Sequence, residues 1–210
     1  NQNLYKPYGS SFKKKMKILA AGDIHSDKDL AKRLANKAEK EQVDLIILNG
    51  DIVEENQTEG ILGAFKNKKL VILPGNHEIL ATTDFLAELY GVKNLHGYSV
   101  IYNDIGFFGA GGADIGPGAV SESELFETLK KAHSGLKNVK TKIMVTHQHP
   151  KGSKSEFSGI EGSLAIKKAL EEFKPDLLIH GHIHEAEGIE EKIGKTKVIN
   201  VGRKGKIIEI

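Results

Sequence analysis

The sequence predicts an α/β fold in which two packed β-sheets carry helices on their outer faces. Three observations support this. The first half alternates short apolar runs with helical periodicity, the pattern of parallel strands joined by right-handed crossovers. The second half adds short, closely spaced strands separated by Gly, Asn and Asp, which points to a more antiparallel sheet. Finally, strand after strand runs into glycine plus a polar side chain, and strand ends are where open α/β sheets place their sites.

Lys17 to Ala21 reads as the first strand and ends in Gly22-Asp23-Ile24-His25. Asp27 is the expected N-cap of a helix through Lys40, whose Leu30, Leu34 and Ala38 recur every four residues and make one buried face. Val43 to Leu48 is a second strand ending in Asn49-Gly50-Asp51. A short helix is expected over Thr58 to Phe65. Leu70 to Leu73 is a third strand, ending in Pro74-Gly75-Asn76-His77-Glu78. Parallel pairing of these strands puts Asp23, His25, Asp51, Asn76 and His77 along one sheet edge.

A helix over Thr83 to Tyr90 is closed by Gly91. Leu95 to Tyr102 and Ile105 to Ala110 form a predicted hairpin turning at Asn103-Asp104. Gly109 to Gly118, with five glycines and Pro117, reads as a flexible loop that forms a plain connection, a lid or a pocket wall. Ser121 and Glu124 make a capping box for a helix to about His133, ended by Gly135. Ile143 to Val145 is a strand ending in Thr146-His147-Gln148-His149-Pro150. After a polar loop over Lys151 to Gly159, Gly162 to Phe173 is an amphipathic helix. The strand Leu177 to His180 then runs into Gly181-His182-Ile183-His184. Short strands over Gly188 to Ile193, Thr196 to Val201 and Lys206 to Ile210 complete the chain.

At 210 residues, residues 16–210 suit one domain. Residues 1–15, polar and ending in three lysines, read as a leader or disordered segment, with Met16 as a natural start and a basic arm as the alternative. The chain has no cysteine, which excludes disulfides, thiolate metal sites and a cysteine nucleophile, and makes the cytoplasm the expected compartment. No apolar run approaches the roughly 20 residues that span a bilayer, so no membrane partner is expected. The net charge of +2 does not mark a nucleic-acid binder.

The strand ends collect Asp23, His25, Asp51, Asn76, His77, His147, His182 and His184, an oxygen- and imidazole-rich set without sulfur. They are too many for one small ion and suit two divalent ions sharing a ligand. Mixed N/O donors favour borderline metals over Mg or Ca. Manganese is the expected metal, with iron, zinc, cobalt or nickel as alternatives.

The order D-x-H, G-D, G-N-H-D/E, H, G-H-x-H is met by Asp23-Ile24-His25, Gly50-Asp51, Gly75-Asn76-His77-Glu78, His147 and Gly181-His182-Ile183-His184. In this the chain resembles the calcineurin-like metallophosphoesterases. The resemblance implies a four-layer fold, two mixed β-sheets packed as a sandwich and flanked by helices. It implies one metal on Asp23, His25, Asp51 and His184, and a second on Asp51, Asn76, His147 and His182, with Asp51 bridging. It further implies hydrolysis of a phosphomonoester or phosphodiester by a hydroxide held between the two ions, with His77 as general acid and Glu54 as its carboxylate partner where the family more often has Asp. Ser26 and the stretch Asn200-Val201-Gly202-Arg203 depart from the family's G-D-x-H-G and N-P-G-S without removing a ligand.

Of the remaining groups, Arg203 is expected to be solvated, His149 to cap its loop, His96 and His133 to lie on the surface, and His180 to sit buried behind the metals as a donor to a ligand. The expected partner is a small phosphorylated substrate such as a nucleotide or phosphodiester. Nucleic acid is not expected, since aromatics are only 6% and lysines are scattered. The alternatives are a metal-dependent nuclease of the same chemistry and a non-catalytic interaction module on this fold.

Overall fold

The structure is a computed structural model that describes residues 15–54, 57 and 60–210. Residues 1–14, most of the expected leader, and Thr58 and Glu59, at the start of a predicted helix, lie outside the described residues.

The first sheet contains β1 (Lys17–Ala21), β2 (Leu45–Leu48), β3 (Leu70–Ile72) and β4 (Lys93–Asn94), all parallel. Helices α1 (Lys28–Lys40) and α2 (Leu80–Tyr90) form two of its crossovers. Asp27 Oδ1 caps α1 by accepting from Leu30 N at 2.8 Å. Gly91, at φ 64°, closes α2 in the left-handed region that glycine enters without strain. The second sheet contains β5 (Ser99–Tyr102), β6 (Ile105–Ala110), β7 (Thr141–Thr146), β8 (Leu177–His180), β9 (Glu190–Ile193) and β10 (Thr196–Asn200), in the order β5-β6-β7-β8-β10-β9. Its helices are α3 (Glu122–Ser134) and α4 (Leu164–Phe173), capped by Ser121 and Ser163. The last strand, β11 (Lys206–Glu209), returns to the first sheet and pairs antiparallel with β1.

Strand periodicity sorts the side chains into three apolar layers. Ile18, Ala20, Leu45, Ile47 and Val71 meet Phe107, Ile143, Val145 and Ile179 between the sheets. Their neighbours in sequence, Leu19, Ala21, Ile46, Leu48 and Ile72, pack on α1 and α2. Phe108, Met144 and Leu178 pack on α3 and α4. The strands are apolar without alternation because both faces are covered. The fold is therefore helix, sheet, sheet, helix, as predicted. Among the described residues, no helix is long and apolar enough to cross a membrane.

The structure differs from expectation in several places. The second sheet is parallel through its middle, β6–β7, β7–β8 and β8–β10, and antiparallel only at its edges. The reason is that α3 and α4 are crossovers returning the chain to the same end for β7 and β8, while β9 carries it back so that β10 joins β8 in parallel. The polar pair Lys93–Asn94 forms β4 by backbone pairing with β3, which no apolar pattern marks. In place of a helix to Phe65 there is a 3₁₀ turn over Leu62–Phe65. Helix α2 begins three residues earlier than predicted.

The glycine-rich stretch is a tied wall instead of a flexible loop. Gly109 belongs to β6. Gly112 N donates to Pro74 O and Gly118 N to Asn76 O, each at 3.0 Å. A β-carbon on Gly111 would overlap the Pro74 carbonyl. The glycines thus let this stretch lie directly against the segment that carries Asn76 and His77. Gly111→Ala is expected to lower stability by about 3 kcal/mol through backbone overlap, while Gly91→Ala, with nothing within 4 Å, loses only about 1 kcal/mol from its left-handed φ. Urea unfolding of both variants checks the ranking.

Candidate metal centre

Because β1, β2, β3, β7 and β8 are mutually parallel within their sheets, their C-terminal ends share one edge of the sandwich. The turns that follow are unusual. Asp23, His25, Asp51 and His182 all have positive φ, between 48° and 69°. Asp and His tolerate this region better than most residues. Hydrogen bonds between neighbouring turns hold it: Asp23 N to Gly50 O at 3.0 Å, His25 N to Asp51 O at 2.9 Å, Ser26 N to Ile52 O at 3.1 Å and Gly181 N to His147 O at 2.9 Å. Asn49 joins the sheets, its Nδ2 donating to Thr146 O at 3.2 Å and its carbonyl lying 3.0 Å from His147 Nδ1.

These turns bring all nine predicted site residues together. His25 Nε2 lies 3.4 Å from His184 Nε2 and 3.8 Å from Asp51 Oδ2, and His184 Nε2 lies 3.7 Å from Asp23 Oδ1. On the other side, His147 Nε2 lies 3.3 Å from Asp51 Oδ2, 3.0 Å from Asn76 Oδ1 and 3.2 Å from His182 Nδ1. Asp51 belongs to both groups. Its Oδ1 accepts from His77 N at 2.9 Å, which leaves Oδ2 to face the imidazoles.

This donor set fits divalent ions. Lone-pair atoms of different side chains converge within 4.8 Å as Asp23, His25, His184 and as Asp51, His147, His182. Two imidazole Nε2 atoms at 3.4 Å, as in His25 and His184, gain nothing from each other without a proton or a cation between them. The far nitrogens of two rings are already engaged, His25 Nδ1 with Glu54 and His147 Nδ1 with Asn49 O, the outer bonding that fixes imidazole ligands in place.

His25, Asp51 and His77 form a third convergent group, with His77 Nε2 3.9 Å from Asp51 Oδ2. Exposure separates the two histidines: the His77 side chain is 44% exposed and that of His25 only 19%. His77 is therefore the one open to an incoming molecule. Glu54 holds both, with Oε1 2.7 Å from His25 Nδ1 and Oε2 3.2 Å from His77 Nδ1.

The charges are strongly coupled. Burial opposes ionisation of Asp51, but His147 and the His77 amide hold its carboxyl below the ordinary range. Burial would depress His147, yet the Asp51 carboxylate overrides it and raises the imidazole to about 9. His182 falls to about 4, through burial and then the charge on His147. Glu78 lies beneath the site, its Oε1 accepting from Ile52 N at 3.1 Å and Gly75 N at 3.2 Å. Burial, then the charge on Asp51, lifts it to about 8, so it stays protonated beside an ionised Asp51. Glu78 and Asn49 stand inside the sequence motifs without a role of their own; only the meeting of strand ends reveals one.

The remaining histidines and Arg203 are also placed. His149 is buried, with Nε2 3.3 Å from Ile160 O, and so ties down its loop as expected. His180 is buried and kept neutral, depressed to about 3 by burial, but its Nδ1 faces the carbonyl of Gly181 and no ligand side chain. His133 stacks on Phe173 at 4.6 Å, and His96 Nδ1 accepts from Gly111 N at 3.1 Å, so neither is a free surface group. Arg203 is only part-exposed, and its Nη2 faces Asp27 Oδ2 at 3.5 Å.

Structures with a similar fold include TT1561 of Thermus thermophilus, at TM-score 0.72 and 18% identity over 93% of this chain and 99% of that one. The purple acid phosphatase PPD1 of yellow lupin (Lupinus luteus) seeds aligns at TM-score 0.63 and 13% identity, over 93% of this chain and 45% of its own. An archaeal phosphodiesterase aligns at TM-score 0.51 and 19% identity, over 93% and 100%. No curated protein gives a significant match. In sequence, the calcineurin-like phosphoesterase family matches residues 16–186, a span that holds the strand-end turns of both sheets and each residue gathered at the edge, and the chain belongs to that family.

Proposed function

We propose that the chain is a metal-dependent phosphoric ester hydrolase acting on a phosphomonoester or phosphodiester. The observation that carries this is the Oδ2 of Asp51, which lies 3.3–3.9 Å from imidazole nitrogens of His147, His25 and His77, brought from three different strand ends. Asp23, His25, Asp51 and His184 would hold one divalent ion, and Asp51, Asn76, His147 and His182 a second, with manganese the expected metal. When bound, the pair supplies an activated water nucleophile and takes up charge developing on the phosphoryl oxygens. Two similar structures are described as a phosphodiesterase and an acid phosphatase, so both ester classes belong to the reading. An interaction module would be free to lose donors, and here the complete set is present and convergent.

The chain's own residues account for the proton. The nucleophile, a water that has given one proton to solvent on activation, forms a new oxygen–phosphorus bond, and the bond to the ester oxygen breaks with its electron pair on that oxygen. His77, exposed at the mouth of the cleft, delivers the proton that the alcohol needs to leave. Glu54 Oε2 lies 3.2 Å from His77 Nδ1, accepts from it and orients the ring. Asn76, immediately before His77, couples the position of the proton donor to that of the metal donors.

Three outcomes are expected. Asp51→Ala removes the shared donor, so metal analysis of the purified variant finds neither ion; retention of one tightly bound ion would refute the bridging role. His77→Ala keeps its metal content and loses about 10²–10⁴-fold in kcat on an alkyl phosphoester, with a smaller loss on p-nitrophenyl esters, whose leaving group needs less protonation. Third, His147 at about 9 is protonated in the metal-free protein at neutral pH, so metal uptake must release that proton. Affinity should rise with pH up to about 9 and then level off, as read by calorimetry in buffers of different ionisation enthalpy.

A further inference from the structure

The cleft over the metal centre, about 320 Å³, lies near the small end of ligand pockets at about 300–1,000 Å³. Its walls beyond the expected metal donors are His77, Ile160, Ile183 and Glu185. No lysine or arginine lines it among the described residues. Of the nearby cations, Lys151 pairs with Glu161 at 2.6 Å, and Arg203, close enough for its charge to act on His184, directs Nη2 to Asp27 at 3.5 Å from outside the lining. The acids are Glu54, fixed by His25 and His77, and Glu185.

Ile160 is 46% exposed yet held in a fixed place. Buried His149 meets its carbonyl, and Gly162 N donates to Glu156 Oε1 at 2.9 Å. Lys151 N and Ser163 O close the base of the loop at 2.9 Å. An apolar side chain locked at the mouth of a catalytic cleft has no structural reason to be there, since the loop is secured by polar contacts.

Resting on the hydrolase reading, we propose that this site selects esters carrying a single phosphate joined to an apolar or aromatic group, which packs on Ile160, and rejects polyphosphates and other polyanions. The one phosphate would be balanced by the ions that the donor set holds. A second phosphate would find no cation in the cleft lining and would face Glu185 and Glu54, and like charges brought together at an interface are strongly disfavoured.

The test compares the Mn²⁺-loaded protein on bis(p-nitrophenyl) phosphate and phenyl phosphate with inorganic pyrophosphate and ATP. The aryl esters should lead in kcat/KM by about 100-fold or more. Ile160→Ala should raise KM for the aryl esters about tenfold with kcat held. Ile160→Lys should shift the preference toward pyrophosphate. Equal or better turnover of pyrophosphate by the wild type, or an unchanged KM in Ile160→Ala, overturns the proposal. If no ester is cleaved, the hydrolase reading fails separately. Calorimetric binding of phenyl phosphate against pyrophosphate to the same Mn²⁺-loaded protein then decides selectivity alone: tighter phenyl phosphate, weakened by Ile160→Ala, upholds it, and tighter pyrophosphate overturns it.

Discussion

The site depends on keeping one carboxylate charged inside the protein. Asp51 is 2% exposed, and an isolated buried carboxylate would take up a proton sooner than stay ionised. It is kept ionised by an amide from the segment after β3 and an imidazole from the end of β7. These come from different sheets, so the sandwich must pack in register for Asp51 to stay ionised. The neutral Glu78 beneath it follows from the same constraint, because two adjacent buried negative charges would repel at low dielectric.

The backbone bears a cost for this arrangement. Residues held at positive φ cost of order 1–3 kcal/mol each unless glycine, and four of the expected metal donors are held that way. Backbone hydrogen bonds between adjacent turns meet that cost, with Asn49 fastening one sheet to the other. Glu54 is a variation on the same theme. The resemblance leads one to expect Asp at this position, and the extra methylene lets one carboxylate reach two rings, His25 and His77. A carboxylate expected to serve only the proposed proton donor His77 therefore also steadies His25, a proposed metal donor.

Much of this was legible in the sequence, for physical reasons. Apolar runs covered on both faces leave a period-free pattern, and helices capped by Asp27, Ser121 and Ser163 carry their own start signals. Eight of the nine expected site residues were readable because they sit where strands stop, most of those stops marked by glycine, whereas Glu54 was named only through the resemblance. What the sequence hid was long-range. Nothing in Lys93–Asn94 announces backbone pairing, and nothing in Gly109–Gly118 tells a floppy loop from glycines that make room for a neighbour. The direction of the middle strands of the second sheet lay in α3 and α4, which the periodicity had already marked as helices. His133 and His96 acquire partners only once distant segments meet.

The pairing of β11 with β1 has a consequence for the order of events as the chain folds. Lys17 finds Glu209 across the sheet, and β1 sits between β11 and β2. The strand that positions Asp23 and His25 therefore stays an open edge until nearly the whole described chain exists, and His184 is itself late. During synthesis the first sheet has an unpaired apolar edge of the kind that favours misassembly. The contacts that finish the fold also have the widest sequence separation, which slows folding. The protein is thus most exposed to aggregation while its nascent chain is still short of the final strand.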